Sequence, residues 1–119
     1  MIINRPIQPK RQPPMTAKER TERFDALCKI GCIVCRERLG VHAEPAIHHL
    51  IGINSSRLGN GGKADCRETL GLCQFHHQGE QGIHHLGMRA WEGLYGTQQK
   101  LLTITNQLIQ DEIYLPDRT

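Results

Sequence analysis

Six of the seven histidines in this 119-residue chain occur as three adjacent pairs. The pairs lie in the segments AIHHL (His48 and His49), CQFHHQ (His76 and His77) and GIHHL (His84 and His85). Adjacent side chains point to opposite faces of a strand and diverge by about 100° on a helix, so one site cannot easily use both. The pattern therefore predicts two neighbouring sites, each taking one member of a pair.

Cysteine spacing indicates what one of these sites binds. Cys32 and Cys35 form a C-x2-C turn, which brings two thiolates together around a tetrahedral ion, and Cys73 with His76 repeats that spacing. The two halves are 38 positions apart, which exceeds the roughly 12–15 residues of a zinc finger and suits an intervening β-hairpin with a long loop. We therefore expect structural zinc on these four residues; buried cysteines that act only as small apolar side chains are the alternative.

Composition favours a metal-stabilised chain with reduced thiols. Hydrophobic residues make up 38% of the chain and aromatic residues 4%. A small domain with so few residues for a hydrophobic core usually needs disulfides or a structural metal for stability. Five cysteines, an odd number, and no N-terminal apolar signal argue against a secreted disulfide scaffold. No apolar run approaches the about 20 residues of a membrane span. We expect a cytoplasmic protein in which Cys28 and Cys66 are small buried residues.

Local signals predict a mixed α+β fold. Thr16 and Glu19 form a capping box that opens a helix ending at Gly31. Short strands are expected at PAIHHL and TLGLC, with a turn or broken helix at QFHHQGEQG.

The C-terminal part is predicted to be helical. One helix, which ends near Gly96, carries Trp91, Leu94 and Tyr95 at helical spacing, so these side chains are expected to pack. Thr97 caps a last amphipathic helix with an apolar stripe at Leu101, Ile104 and Leu108.

Basic residues concentrate in the first half of the chain. Residues 1–67 hold 12 basic and 6 acidic residues, whereas residues 68–119 hold 3 and 6. This balance suits a polyanionic partner such as nucleic acid, with an ordinary solvated surface as the alternative. Arg57, Lys63 and Arg67 lie around GNGG in a glycine-rich loop and are expected to contact DNA phosphates; a flexible surface loop is the alternative.

The segments CIVC, AIHHL, LGLCQFHHQGEQGIHH and WEGLYG together resemble the HNH, or ββα-metal, endonucleases. Within that superfamily they resemble the phage-encoded RecA-dependent nucleases of the Ref group, from about Cys32 to Gly96. The resemblance implies a small zinc-stapled core with flanking helices, in which two antiparallel strands and a helix hold one catalytic divalent ion. Mg²⁺ is the first expectation for that ion, with Zn²⁺ or Mn²⁺ as alternatives.

The resemblance also assigns roles. It makes His48 and His77 ligands of the catalytic ion, His84 a third ligand, and His49 the general base. An imidazole with a pKa of about 6.5 can accept the proton of an attacking water near neutral pH.

Other polar residues keep open assignments. The resemblance also implies an asparagine that orients the base; this sequence departs from the HNH pattern at that position, and Asn54 and Asn60 are both candidates. His42 and His85 receive no role and are expected to be exposed or hydrogen-bonded within the fold.

These expectations combine into one hypothesis. Residues 1–15, proline-rich and basic, form an extended or disordered arm, and residues 16–119 form a nuclease domain that nicks DNA with little sequence specificity. The resemblance implies a RecA filament as partner in phage recombination, inside a bacterial host. Two alternatives stay open: a zinc-stapled nucleic-acid-binding module without catalysis, and an adaptor whose final helix, 98–112, docks a protein.

Overall fold

The computed structural model describes residues 14–51 and 66–113, so most of the predicted arm lies outside the described residues. The described part is an α+β fold, as predicted. Its elements are α1 (Ala17–Ile30), α2 (Ile33–Leu39), β1 (Ala46–His49), β2 (Thr69–Leu72), α3 (Gln74–His77), α4 (Ile83–Leu86), α5 (Met88–Tyr95), α6 (Gln98–Leu108) and a π-helical segment (Ile109–Ile113).

Helix α1 begins and ends where its sequence predicts. The Thr16 hydroxyl accepts from the backbone N–H of Glu19, and the Glu19 carboxylate accepts from that of Thr16. The helix ends at Gly31, whose φ of 83° favours glycine, and a Cβ there would lie 2.7 Å from the His42 ring. Its buried residues are Ala26, Leu27 and Ile30. The expectation of a buried Cys28 is wrong, because this residue is exposed.

The two predicted strands form one antiparallel pair. His48 lies opposite Leu70, and His49 lies opposite Thr69. All of β2 is buried, whereas His48 on β1 is buried and its neighbour His49 is partly exposed. Because a two-stranded sheet is barely stable alone, it depends on the helices packed against it. Helix α3 follows β2 at once and packs on both strands, while α1, α2 and α6 pack on β2.

The C-terminal helices complete the core. Trp91 is fully buried, and Tyr95 packs against the core from its edge. Both outcomes confirm the packing prediction for these two residues; the one for Leu94 is wrong, since that side chain is 49% exposed. Helix α6 begins after the Thr97 cap and buries Leu101 as predicted. None of the helices in the described residues has the length and apolar character to cross a bilayer.

Candidate metal centres

Cys32, Cys35, Cys73 and His76 come together as one potential metal site. The sulfurs of Cys35 and Cys73 lie 3.8 Å apart, and Nδ1 of His76 lies 3.7, 3.6 and 3.2 Å from the sulfurs of Cys32, Cys35 and Cys73. Ordinary zinc bond lengths place tetrahedral ligands about 3.8 Å apart for two sulfurs and about 3.6 Å for sulfur and nitrogen. The structure therefore assembles the predicted ligand set at a spacing that fits zinc. We refer to these four residues as the cysteine–histidine cluster.

Short-range structure sets the four ligands in place. Cys32 is the N-cap of α2, and its sulfur accepts from the backbone N–H of Cys35 at 3.5 Å. Cys73 is the N-cap of α3, and one helical turn brings His76 back to its sulfur. From α5, the buried Trp91 indole donates to the carbonyl of His76 at 3.1 Å. A helix N-terminus and a buried indole thus position the two halves.

The protonation chemistry of the cluster suits a divalent cation. Burial, followed by the charge of the neighbouring Cys32 and Cys73 thiolates, raises the pKa of Cys35 to about 12. Burial also raises the pKa of Cys32. A coordinated metal ion reverses this effect and deprotonates its thiols, because its charge outweighs the repulsion between sulfurs. Zinc binding here has to displace protons, so zinc affinity should fall as pH falls.

One member of each histidine pair enters a second potential metal site. His48, His77 and His84 each offer a ring nitrogen, and these atoms lie within 4.8 Å of one another. Their ring centroids are separated by 5.2, 5.3 and 4.6 Å. We call this set the three-histidine cluster. His76 belongs to the cysteine–histidine cluster, while His49 and His85 lie outside both. The pair His76 and His77 is thus divided between two neighbouring clusters as predicted, whereas the other two pairs each contribute one member to a single cluster.

The three-histidine cluster runs from the core to the surface. His48 is 1% exposed, whereas His84 is exposed to solvent. Burial lowers the pKa of His48 to about 4, and burial followed by the charge of His84 lowers the pKa of His77. Both rings are therefore neutral near neutral pH, the form that offers a lone pair to a metal ion. A ligand set open on one side leaves room for a water or a substrate oxygen.

Gln98 holds the buried end of this cluster. Its side chain is buried, and its Oε1 lies 2.9 Å from Nε2 of His48. The same amide also pairs with the backbone of Ile51. Sequence reasoning missed Gln98, because a glutamine directly after a helix cap is ordinarily exposed and carries no signal of burial.

Gly82 allows α3 and α4 to approach each other. A Cβ at this position would lie 2.4 Å from the carbonyl carbon and oxygen of His77. The backbone of Gly82 therefore rests against that of His77, and α4 starts from this contact. Two residues further along, His84 lies beside the His77 ring.

His49 lies next to the three-histidine cluster on β1 without being a member of it. Its Nε2 is 3.5 Å from the sulfur of Cys66. Such a position suits a base that is not a ligand, and that role stays a prediction. Cys66 is not the buried residue expected, because it is partly exposed beside the imidazole.

The remaining predicted residues divide between described and undescribed parts of the chain. Arg67 is described and partly buried. The other predicted DNA contacts and the two candidate asparagines lie outside the described residues: Arg57, Lys63, Asn54 and Asn60. As expected, His85 is exposed, and His42 hydrogen-bonds the carbonyl of Cys28 at 3.0 Å.

No family model matches the sequence, and no curated protein does so at a significant level. Function therefore has to be inferred from the two clusters themselves.

Proposed function

We propose that this protein is a metal-dependent DNA endonuclease of the HNH, or ββα-metal, type. The observation that carries the proposal is the three-histidine cluster, which adjoins the cysteine–histidine cluster through the consecutive residues His76 and His77. A structural zinc site accounts for only one of these imidazoles. Three further histidines gathered from three separate pairs indicate a second site with a different task.

The order of the elements supports the same proposal. His48 lies on β1, and β2 leads directly into α3, which carries His77. Two antiparallel strands followed by a helix thus supply two of the cluster's three ligands. This is the order of a ββα-metal core, with the cysteine–histidine cluster fixing the junction between β2 and α3.

Each residue has a chemical task in this proposal. A bound ion would act as a Lewis acid for the charge that develops on the phosphate. His48, His77 and His84 hold it, and His49 accepts the proton of the attacking water. The Cys66 sulfur lies 3.5 Å from Nε2 of His49 and contacts the base as a weak hydrogen-bonding partner.

The donor set narrows the choice of catalytic ion. Mg²⁺ and Mn²⁺ prefer oxygen ligands, whereas imidazole suits zinc, copper, iron and nickel. The three-histidine cluster offers only imidazoles. We therefore favour Zn²⁺ over Mn²⁺ and over Mg²⁺, which was the first expectation from the resemblance.

DNA is the proposed substrate because the resemblance to HNH endonucleases implies it, and one such ion with one base can hydrolyse a phosphodiester. Arg57, Lys63 and Arg67 would neutralise phosphates along the strand. A RecA filament inside a bacterial host, with a phage or prophage origin, completes the proposal on the resemblance alone.

The test is DNA cleavage by protein of known metal content. Purified protein carrying zinc in the cysteine–histidine cluster is incubated with supercoiled or single-stranded DNA and added Mn²⁺, Zn²⁺ or Mg²⁺, with and without RecA. We expect metal-dependent nicks. His49→Ala should keep both ions and DNA affinity while the rate falls by about 10²–10⁴, and His77→Ala should lose the second ion together with activity.

The competing function, a zinc-stapled binding module, predicts a different result. Its wild-type protein would bind DNA without metal-dependent cleavage, and His49→Ala would change nothing. If His49→Ala cleaved DNA as fast as wild type, the endonuclease proposal would stand, but His49 would be excluded as the general base.

A further inference from the structure

We infer that Gln98 is a positioning residue of the three-histidine cluster, the second potential metal site. It fixes the tautomer of His48 that leaves one ring nitrogen with a lone pair for an ion. The inference rests on the proposed function in one respect, namely that His48 is a metal ligand. It concerns α6, an element that lies outside the ββα core.

The orientation of the Gln98 amide follows from its backbone partners. Its Oε1 lies 3.1 Å from the N–H of Ile51, and its Nε2 lies 2.8 Å from the carbonyl of the same residue. A flipped amide would place two donors together at one end and two acceptors together at the other. The carboxylate of Glu92, 3.4 Å from Nε2, is also an acceptor. All three contacts require the same assignment of oxygen and nitrogen.

The orientation of the amide determines the protonation of His48. Oε1 of Gln98 can only accept a hydrogen bond, so Nε2 of His48, 2.9 Å away, has to carry a proton. The neutral imidazole then keeps its lone pair on Nδ1. That nitrogen is the one that can bind an ion shared with His77 and His84. Metal-binding histidines commonly donate their second N–H to a carbonyl or carboxylate in this way, which orients the ring and raises its basicity.

The amide is itself held from two elements. Its residue is 3% exposed, and its backbone N–H donates to Glu92 on α5 at 2.7 Å. The Ile51 contacts tie it to the chain just after β1. The start of α6 is therefore rigidly joined to the strand that carries His48, and a buried amide with all of these partners costs little to order when an ion binds.

The tautomer can be measured directly. In ¹⁵N-histidine-labelled full-length protein loaded with one zinc per chain, His48 should show a protonated Nε2 and an unprotonated Nδ1 in two-dimensional NMR. Gln98→Leu should lose this preference, and the dissociation constant of the second ion, measured by competition with a chromophoric chelator, should rise about 10- to 100-fold.

A matched variant controls for general loosening. Arg23 joins α1 to β2 and α6 through hydrogen bonds to Thr69 and Asn106, and none of these three bonds involves His48. Arg23→Met should lower stability while leaving the tautomer and the second dissociation constant unchanged.

The outcomes separate this inference from the proposed function. A wild-type His48 with its proton on Nδ1, or a Gln98→Leu protein with unchanged second-ion affinity, overturns the role of Gln98. A wild-type protein that binds only one ion per chain instead contradicts the proposed function, and the tautomer measurement still decides whether Gln98 controls His48.

Discussion

The backbone decides which site each imidazole can reach within a histidine pair. On β1 the side chain of His48 enters the core, and that of the next residue, His49, is directed elsewhere because neighbours on a strand alternate. On α3 the same separation follows from the helical rotation between His76 and His77. The sequence predicted this division because the geometry is local. It could not predict that His84 rather than His85 would be the third member from spacing alone.

Burial of His48 predicts a loss of stability in mild acid. Burial lowers its pKa to about 4, whereas an imidazole in an unfolded chain has a pKa of about 6.5. Between these values the unfolded chain binds a proton that the folded chain does not bind. Stability is therefore lost as pH falls, by about 2 kcal/mol between roughly pH 6.5 and 5.

The measurement compares wild type with His48→Gln by urea unfolding, each with one zinc per chain. Both proteins share the pH dependence of the cysteine–histidine cluster, so the difference between their two pH profiles isolates His48. Parallel profiles would show that His48 is not buried as a neutral ring.

Cys66 predicts sensitivity to thiol reagents. The residue is partly exposed and its sulfur lies 3.5 Å from Nε2 of His49, so an N-ethylmaleimide adduct would fill the space beside the proposed base. Cleavage by wild type should fall at least about 100-fold, the lower range of a positioned base. Cys66→Ser should stay active and become resistant, whereas Cys28→Ser, which removes an exposed cysteine elsewhere, should remain sensitive. Equal inhibition of both variants would contradict the placement of Cys66.

At the scale of elements, short helices determine whether the metal ligands can meet. Capping and strand signals predicted α1, β1, β2 and α6 because each has a local cause. The segment QFHHQGEQG was expected to be a turn or broken helix, and it forms α3 followed by a turn into α4. The close contact at Gly82 could not be predicted, because it depends on how α4 packs against a residue five positions earlier.

Gly82→Ala should weaken ion binding at the three-histidine cluster without affecting the cysteine–histidine cluster. Its new Cβ would lie 2.4 Å from backbone atoms of His77, so α4 would have to shift, at a cost of about 1–3 kcal/mol for overpacking. The His84 ring moves with α4, and affinity for the second ion should fall while the zinc in the cysteine–histidine cluster is retained. Isothermal titration of the zinc-loaded protein with Zn²⁺ or Mn²⁺ measures this.

Gly93→Ala is the matched control for that change. Gly93 lies inside α5, and a Cβ there meets no atom within 4 Å among the residues described. Alanine is favoured over glycine in a helix by about 0.5–1 kcal/mol, so this variant should be slightly more stable and bind both ions. Normal binding of the second ion by Gly82→Ala would show that the contact with His77 does not position His84.

At the scale of the whole molecule, the contacts that sequence reasoning missed join distant parts of the chain. The ligand set of the cysteine–histidine cluster was predictable because two local spacings mark its halves. The role of Gln98 was not predictable, because its partner His48 lies 50 positions away and no local sequence pattern links the two residues. The same holds for Arg23, which bonds Asn106 across 83 positions. Such pairings form only when the helices close over the sheet.

The cysteine–histidine cluster should control the stability of the entire fold. Its ligands join the start of α2 to the start of α3, and the loop between Cys35 and Cys73 contains both strands. Structural zinc binding contributes about 10–16 kcal/mol in small zinc domains, which equals or exceeds the about 5–15 kcal/mol total stability of an ordinary domain. The aromatic content of 4% leaves little other burial to compensate. Removing zinc should therefore unfold the chain rather than merely loosen it.

A chelator titration followed by circular dichroism should show zinc release and loss of helix in one transition. Cys32→Ser should bind zinc weakly and melt well below wild type, because a hydroxyl replaces one thiolate in a cluster whose other members stay buried. Cys28→Ser changes an exposed thiol outside the cluster and should match wild type in zinc content and melting temperature. A Cys32→Ser protein that keeps one zinc and the wild-type melting temperature would show that another ligand set holds the ion.

The architecture also predicts the order in which the two sites lose their ions. The three-histidine cluster depends on α3, and α3 is held by the cysteine–histidine cluster. Zinc release should therefore abolish binding at both sites, whereas His77→Ala should abolish binding only at the three-histidine cluster.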